Sequence, residues 1–316
     1  MRRMVTVAAL ALALAGCASA GNQAQTSWPG VPADRAERVA ALGNVIDPAS
    51  FAIFADLVDA PPYDDVTVAS NIAFGADPLQ KLDVYTLNAA PAGSPRPVLL
   101  FIHGGGFVGG SKAGNGYYPQ NITAWAARNG YVGVNMDYRL APAATWPAGR
   151  DDIAAAINWV RANIAQYGGD PQRVVLWGHS AGASHVADYV SHTELQGAEA
   201  ASVKGAILLS PAFAAQAGST PHPYYGTDVQ LQAQAPAIDR LGATRVPLLL
   251  AYAEHDPQQF LDFARAVQGE LCVAWTRRNC PQMVYLPDHN HLTEGASVGS
   301  VDESLSGPVL QWLRGL

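Results

Sequence analysis

The chain is short of charge, cysteine and basic clusters. Charged residues make up 14% of its 316 positions, and cysteines number three. Nineteen Lys and Arg stand against 26 Asp and Glu, a net charge of −7, with no basic stripe. That balance disfavours a nucleic-acid partner. No segment recurs at a period of about 20–50 residues, which argues against a solenoid or propeller. No Cys/His spacing has the form of a zinc site, and neither metal nor cofactor is expected. The apolar run Val5–Ala15 is too short to span a bilayer and polar residues follow it. What is present is a globular composition, 49% hydrophobic with 30 Gly and 22 Pro. The length suits one large α/β domain or two small ones.

Arg2 and Arg3 precede the apolar run, the layout of a secretory signal. It ends in Leu14-Ala15-Gly16-Cys17, which resembles the lipobox of bacterial lipoproteins. The resemblance implies removal of residues 1–16, a lipid on Cys17, and, with Ala18 rather than Asp next, the outer membrane. The alternative is an ordinary signal peptide cut near Ala18-Ser19-Ala20. Residues 17–35 are small, polar and Pro-containing, a tether ahead of a domain over 36–316. Cys272 and Cys280, eight positions apart, are expected to be bridged outside the cytoplasm. Such a small loop adds about 2–3 kcal/mol on the loop-entropy account. Two independent thiols are the alternative.

The segment 36–58 is expected to hold one or two short helices. Val66–Phe74 and Lys81–Tyr85 alternate like an antiparallel pair, with turn chemistry at Gly75-Ala76-Asp77-Pro78. The continuous apolar run Pro97–Ile102 fits a buried parallel strand, and Tyr131–Tyr138, Val174–Trp177, Gly205–Ser210, Val246–Tyr252 and Met283–Leu286 are read as further strands. Helical stretches near 121–129, 153–167 and 304–313, with one after residue 180, alternate with them. The expected fold is α/β, a mostly parallel sheet with helices on both faces. Residues 211–244, rich in Ala and Gln, are expected to form a small lid over the sheet; a plain crossover helix with long loops is the alternative.

Val174-Val175-Leu176-Trp177-Gly178-His179-Ser180-Ala181-Gly182 runs strand, Gly-x-Ser-x-Gly, helix. In that context the serine sits on a tight turn that lifts its hydroxyl clear of the sheet. A serine hydroxyl needs a base, and the base needs an orienting acid. Both are sought just beyond later strands, where loops converge in an open α/β sheet. After Leu248–Tyr252 comes Glu254-His255-Asp256-Pro257, and after Met283–Leu286 comes Asp288-His289-Asn290-His291. Asp256 is the expected acid, with Glu254 second. His291 is the expected base, with His289 second. A developing oxyanion needs donors that no side chain obstructs, each worth about 3 kcal/mol. His103-Gly104-Gly105-Gly106 offers such backbone at a strand end, so Gly105, Gly106 and Ala181 are the expected donors. Phe107, His179 and Tyr224 are candidate substrate contacts among the loop aromatics.

His103-Gly104-Gly105-Gly106-Phe107, Asp137-Tyr138-Arg139-Leu140-Ala141-Pro142, Gly178-His179-Ser180-Ala181-Gly182 and His289-Asn290-His291-Leu292 together resemble the α/β-hydrolase carboxylesterases. The resemblance is to the hormone-sensitive-lipase-like and type-B groups and covers about residue 80 onward. It implies the α/β-hydrolase fold, an oxyanion hole at the second and third glycines after His103 plus the residue after Ser180, and hydrolysis of small esters. His179 stands where that family often has Asp, and Glu254-His255-Asp256-Pro257 replaces its usual Asp-x-Leu. The expectation is a serine esterase for short acyl or aryl esters. An amidase, formamidase or peptidase with the same triad, or a lipid-anchored binding module, are alternatives. Oligomeric state is not legible.

Overall fold

Alternating residues of each apolar run serve opposite cores. The protein is described by a computed structural model covering residues 28–89, 93–211, 222–227, 238–272 and 279–316. Eight strands form one sheet: β1 (Val66–Ala73), β2 (Lys81–Leu87), β3 (Arg96–Ile102), β4 (Val132–Met136), β5 (Gly169–His179), β6 (Val203–Leu209), β7 (Leu248–His255) and β8 (Gln282–Asn290). Their order is β1-β2-β4-β3-β5-β6-β7-β8. β1 and β2 pair antiparallel, as do β2 and β4, and all other pairs are parallel.

On β3, Val98, Leu100 and Ile102 enter one core, while Leu99 and Phe101 enter the other. On β5, Val174 and Leu176 oppose Val175 and Trp177 in the same way. A sheet covered on both faces favours apolar residues at successive positions, hence the apolar runs of β3 and β5, while buried polar residues such as Asn135 on β4 are hydrogen-bonded. The first core is closed by α3 (Ala148–Asn163), α4 (Ala181–Ser191) and a helix at Gln258–Leu271. The second is closed by α1 (Ala33–Leu42), α2 (Gln120–Arg128) and the C-terminal helix Ser306–Leu313. Among the described residues the α-helices after α4 are, in chain order, α5 (Ile238–Ala243), α6 (Gln258–Leu271), α7 (Thr293–Ala296) and α8 (Ser306–Leu313).

Helix α6 was not expected from the sequence. It begins after Pro257 without a side-chain cap; of its buried stripe, Ala264, Val267 and Leu271 enter the first core and Phe260 stacks on His291 at 4.2 Å. Its first turn is two glutamines, which mask the start of the helical period.

The tether expected over residues 17–35 ends earlier in the structure. The Trp28 ring lies against Gly307, where a Cβ would come within 2.3 Å of it. Glu303 N–H donates to Pro29 O at 2.7 Å, and α1 begins at Ala33. An indole needs an apolar partner, and α8 supplies one through its glycine, so residues 28–35 belong to the domain. Cys17 and the signal region 1–16 lie outside the described residues, as does most of the 211–244 excursion. Cys272 and Cys280 are joined, with sulfurs 2.09 Å and Cα atoms 4.7 Å apart. Among the described residues no helix is long and apolar enough to cross a membrane.

The N-terminal segment also builds the second core: Val39, Ile53, Phe54 and Val58 are buried there. Phe54 is fully buried and stacks on His289 at 5.8 Å. Phe54→Ala is therefore expected to cost about 3–5 kcal/mol, measured by urea denaturation. A loss under 1 kcal/mol would mean that this segment is peripheral.

Candidate active site

The turn between β5 and α4 is tightly packed against its surroundings. Ser180 has φ 54° and ψ −121°, a conformation that costs L-residues about 1–3 kcal/mol. Its N–H donates to Leu209 O at 2.9 Å, tying the turn to the end of β6. A Cβ on Gly182 would lie 2.2 Å from Ile102 O, and one on Gly178 would lie 2.4 Å from Gly182 O. Both glycines are thus required by close backbone approach.

The other strand ends converge on this serine. His291 follows β8, and its Nε2 lies 2.9 Å from Ser180 Oγ. Its Nδ1 lies 2.7 Å from Asp256 Oδ1, just beyond β7. Asp256 is fully buried. Its Oδ2 accepts from Ala253 N–H at 2.8 Å, and Ser210 Oγ lies 2.7 Å from the same oxygen. Ser180 keeps 7% exposure, His291 only 1%, so the nucleophile is the open end of the chain of contacts.

Neither second-choice residue meets His291. Glu254 Oε2 accepts from Asp288 N–H at 3.0 Å. His289 is spent on Asp302, its Nε2 2.9 Å from Oδ2, and on Thr293 Oγ1.

The loop after β3 carries Gly105 at φ 134°, Gly106 at φ 61° and Phe107 at φ 70°. A Cβ on Gly105 would strike Gly109 O at 2.0 Å. Among the described residues, the Gly105 and Gly106 N–H groups donate to no protein acceptor. Ala181 is the first residue of α4, where helix N–H groups lack intrahelical acceptors. Gly104 packs directly on Ser180: a Cβ there would lie 3.0 Å from the serine Cβ.

This loop is clamped by the Asp137-Tyr138-Arg139 motif. Asp137 Oδ1 accepts from Lys112 N–H at 2.6 Å, and Tyr138 O–H donates to His103 O at 3.0 Å. Arg139 pairs with the buried Asp152 at 2.8 Å. Lys112 Nζ reaches Asp83 at 2.8 Å and Asn71 Oδ1 at 2.8 Å. His103 stacks on Tyr138 at 4.4 Å, and burial lowers its pKa to about 4, so it stays neutral.

The structure reassigns the three candidate substrate contacts. His179 is 2% exposed and lies behind the triad. Its Nδ1 accepts from Tyr118 O–H, and its Nε2 donates to the backbone O of His291 at 2.8 Å. Burial holds its pKa down at about 3. Phe107 and Tyr224 are 3% and 1% exposed and stack at 5.0 Å, with Tyr225 and Ala181 in the same cluster. They form a packed aromatic block beside the nucleophile rather than open faces, because each ring is covered by its neighbours.

Three groups had no sequence signal strong enough to single them out. Ser210 ends β6 at φ 40°. Glu294 is the second residue of α7, three residues after His291, and is fully buried. Asn44, from the N-terminal segment, donates to Asp256 O at 3.0 Å. Position at a strand end hinted at Ser210, and three-residue spacing from the histidine hinted at Glu294. His179, His291 and Glu294 each place one ligand-type atom within 4.8 Å of the others. Both histidines are already committed to protein partners, His179 to Tyr118 and the His291 carbonyl and His291 to Asp256 and Ser180, while Glu294 Oε2 lies on Ser210 Oγ.

Sheet order, the strained strand–serine–helix turn and the acid and histidine beyond the later strands are those of the α/β-hydrolase fold. A family model described as BD-FAE matches residues 82–204. Esterase LipC of Mycobacterium tuberculosis is 40% identical over 111 residues, covering 35% of this chain and 27% of that protein. Phenmedipham hydrolase of Pseudarthrobacter oxydans is 35% identical over 208 residues, covering 62% of this chain and 37% of that one. An esterase from Pyrobaculum calidifontis superposes with TM-score 0.61 at 21% identity, over 91% of this chain and 98% of that one. The matched stretches thus span about a quarter to two fifths of the two curated relatives' length. The chain has the α/β-hydrolase fold, and over part of its length it is similar in sequence to esterases.

Gly182→Ala drives a methyl group into Ile102 O. It is expected to cost about 1–3 kcal/mol and to slow labelling of Ser180 by a fluorophosphonate at least tenfold. Intact-protein mass against time reads this, and unchanged labelling would show that the turn tolerates a wider approach.

Proposed function

We propose that the chain is a serine carboxylesterase acting on short-chain acyl or aryl esters. One observation carries this: His291 bridges Ser180 at 2.9 Å and Asp256 at 2.7 Å. In the proposed reaction Ser180 Oγ attacks the ester carbonyl while its proton passes to His291 Nε2. Asp256 accepts from His291 Nδ1–H, fixing the tautomer and offsetting the imidazolium charge. The carbonyl oxygen becomes an anion facing the N–H groups of Gly105, Gly106 and Ala181. His291 then protonates the leaving alkoxide, and the acyl–oxygen bond of the substrate breaks. Water, deprotonated by His291, attacks the acyl-enzyme; the bond from the acyl carbon to Ser180 Oγ breaks, His291 returns the proton to Oγ, and the carboxylic acid leaves.

The packed block of Phe107, Tyr224 and Tyr225 against Ala181 limits space on that side of the serine. It favours small acyl groups or flat aryl groups over long chains. An amidase would use the same groups, and paired ester and amide assays on one acyl group separate the two.

For location, the proposal is export and lipid anchoring through Cys17 in a bacterial envelope. The basic residues, apolar run and Leu14-Ala15-Gly16-Cys17 support it, and a bridged Cys272–Cys280 pair accords with an oxidising compartment.

Wild type is expected to take one fluorophosphonate adduct, absent from Ser180→Ala and His291→Ala. Each variant should lose roughly 10⁴-fold or more in kcat on p-nitrophenyl butyrate. Full turnover by folded Ser180→Ala would remove the proposal. In a bacterial expression host, radiolabelled palmitate should enter wild type and not Cys17→Ala; equal labelling would place the lipid elsewhere or refute it.

A further inference from the structure

Behind Asp256 lies a second carboxyl group that the triad does not use. Glu294 is fully buried, and its Oε2 lies 2.9 Å from Ser210 Oγ. The same Ser210 oxygen lies 2.7 Å from Asp256 Oδ2. A hydroxyl has one proton to give, and here it faces two carboxyl oxygens. If both carboxyls were ionised, one would face only a lone pair of Ser210 in a water-poor interior. One of them therefore carries a proton.

The contacts decide which. Asp256 receives Ala253 N–H and His291 Nδ1–H, donors that favour the anion. Glu294 receives no comparable set. Among the described residues its Oε1 has no hydrogen-bond partner, though His179 Nε2 lies 3.3 Å away, with its proton directed to His291 O. The titratable groups facing Glu294 are Asp256, His179, His291 and Tyr118. None supplies a permanent positive charge. Burial, and then the Asp256 charge, push the Glu294 carboxyl well above the usual carboxylate range. Ser210 is held at φ 40°, a backbone position that a serine adopts only under constraint.

We infer that Glu294 is a neutral positioning residue: its Oε2–H donates to Ser210 Oγ, which in turn donates to Asp256 Oδ2. The array Glu294–Ser210–Asp256–His291–Ser180 then contains one proton for each hydrogen bond. Two consequences follow physically. The hydroxyl of Ser210 has one orientation, so Asp256 is aimed at His291 before substrate arrives. The acid side of the triad holds one negative charge instead of two. This inference rests on the serine-esterase proposal for its catalytic meaning, while the protonation of Glu294 is testable without activity.

The test compares full-chain wild type with Glu294→Gln, Glu294→Ala and Ser210→Ala. At neutral pH the infrared spectrum of wild type should contain a protonated-carboxyl stretch that Glu294→Gln lacks. No such difference band would overturn the inference, whatever the enzyme hydrolyses. A raised Glu pKa stabilises the fold below the unfolded glutamate value and loses that stability as pH rises toward the folded value. The Tm of wild type relative to Glu294→Gln should therefore fall steadily as pH rises above about 4.3. A relative Tm that rises with pH would mean that the carboxylate is the stabilised form. Glu294→Gln, whose amide can also donate to Ser210, should leave the acidic limb of kcat/KM in place. A downward shift of about 1 unit or more would reveal a lost negative charge and overturn the inference. Glu294→Ala and Ser210→Ala should lower kcat roughly 10–100-fold with KM little changed. Activity equal to wild type in both, with intact folding, would show that Asp256 needs no such support. Absence of any fluorophosphonate adduct on wild type would defeat the esterase proposal while leaving the infrared result to stand.

Discussion

The close approach of α4 to the ends of β3 and β5 is the constraint on which the site depends. A helix pressed this near a strand leaves no room for a Cβ at Gly178 or Gly182, and it forces Ser180 into φ 54°. The strain is bearable because the surroundings over-determine it: the Ser180 N–H is bound to Leu209 O, and the sheet on either side is fully buried. The same geometry pushes the hydroxyl outward and brings the amide of Ala181, at a helix N-terminus, beside it. Relaxing the turn would withdraw both at once.

Charge is sparing around this turn. His103 and His179 are both kept neutral by burial, and Tyr118 is raised well above its usual range for the same reason. The histidines serve as directional hydrogen-bond partners, His179 steadying the backbone of His291 and His103 ordering its own loop. Few charges in a water-poor site mean that each retained one acts strongly. The Asp256 carboxyl, ringed by Ala253 N–H, Ser210 Oγ and His291 Nδ1, is the one that faces the base.

The glycine loop after β3 would be too loose to aim donors if it stood alone. It is held from below by Asp137 on the Lys112 amide, by Tyr138 on the His103 carbonyl, and by the buried Lys112–Asp83 pair. Asp137 and Tyr138, which follow β4, thus fix a loop that follows β3, and β3 and β4 are neighbours in the sheet. This gives the Asp-Tyr-Arg motif a mechanical role distinct from contact with substrate.

Much of this was legible in the chain. Apolar runs identify strands because a two-sided sheet leaves few positions for polar residues. Gly-x-Ser-x-Gly identifies the turn because backbone proximity excludes side chains. The acid and the histidine appear just past later strands because that is where a parallel sheet gathers its loops. Helix α6 escaped because its polar first turn hides the stripe of Phe260 and Ala264. The choice between Asp256 and Glu254, two positions apart, needed the tertiary structure, since only the fold says which side chain turns toward His291. So did the fate of His179, Phe107 and Tyr224: an aromatic on a loop reads alike whether it lines a pocket or is buried by other rings. Ser210 and Glu294 lie 84 positions apart and meet only when β6 and the turn after β8 are brought together. Local sequence dictates the shape of each segment through sterics and periodicity. Long-range contacts between polar groups, which carry no period and little local preference, are decided by packing alone.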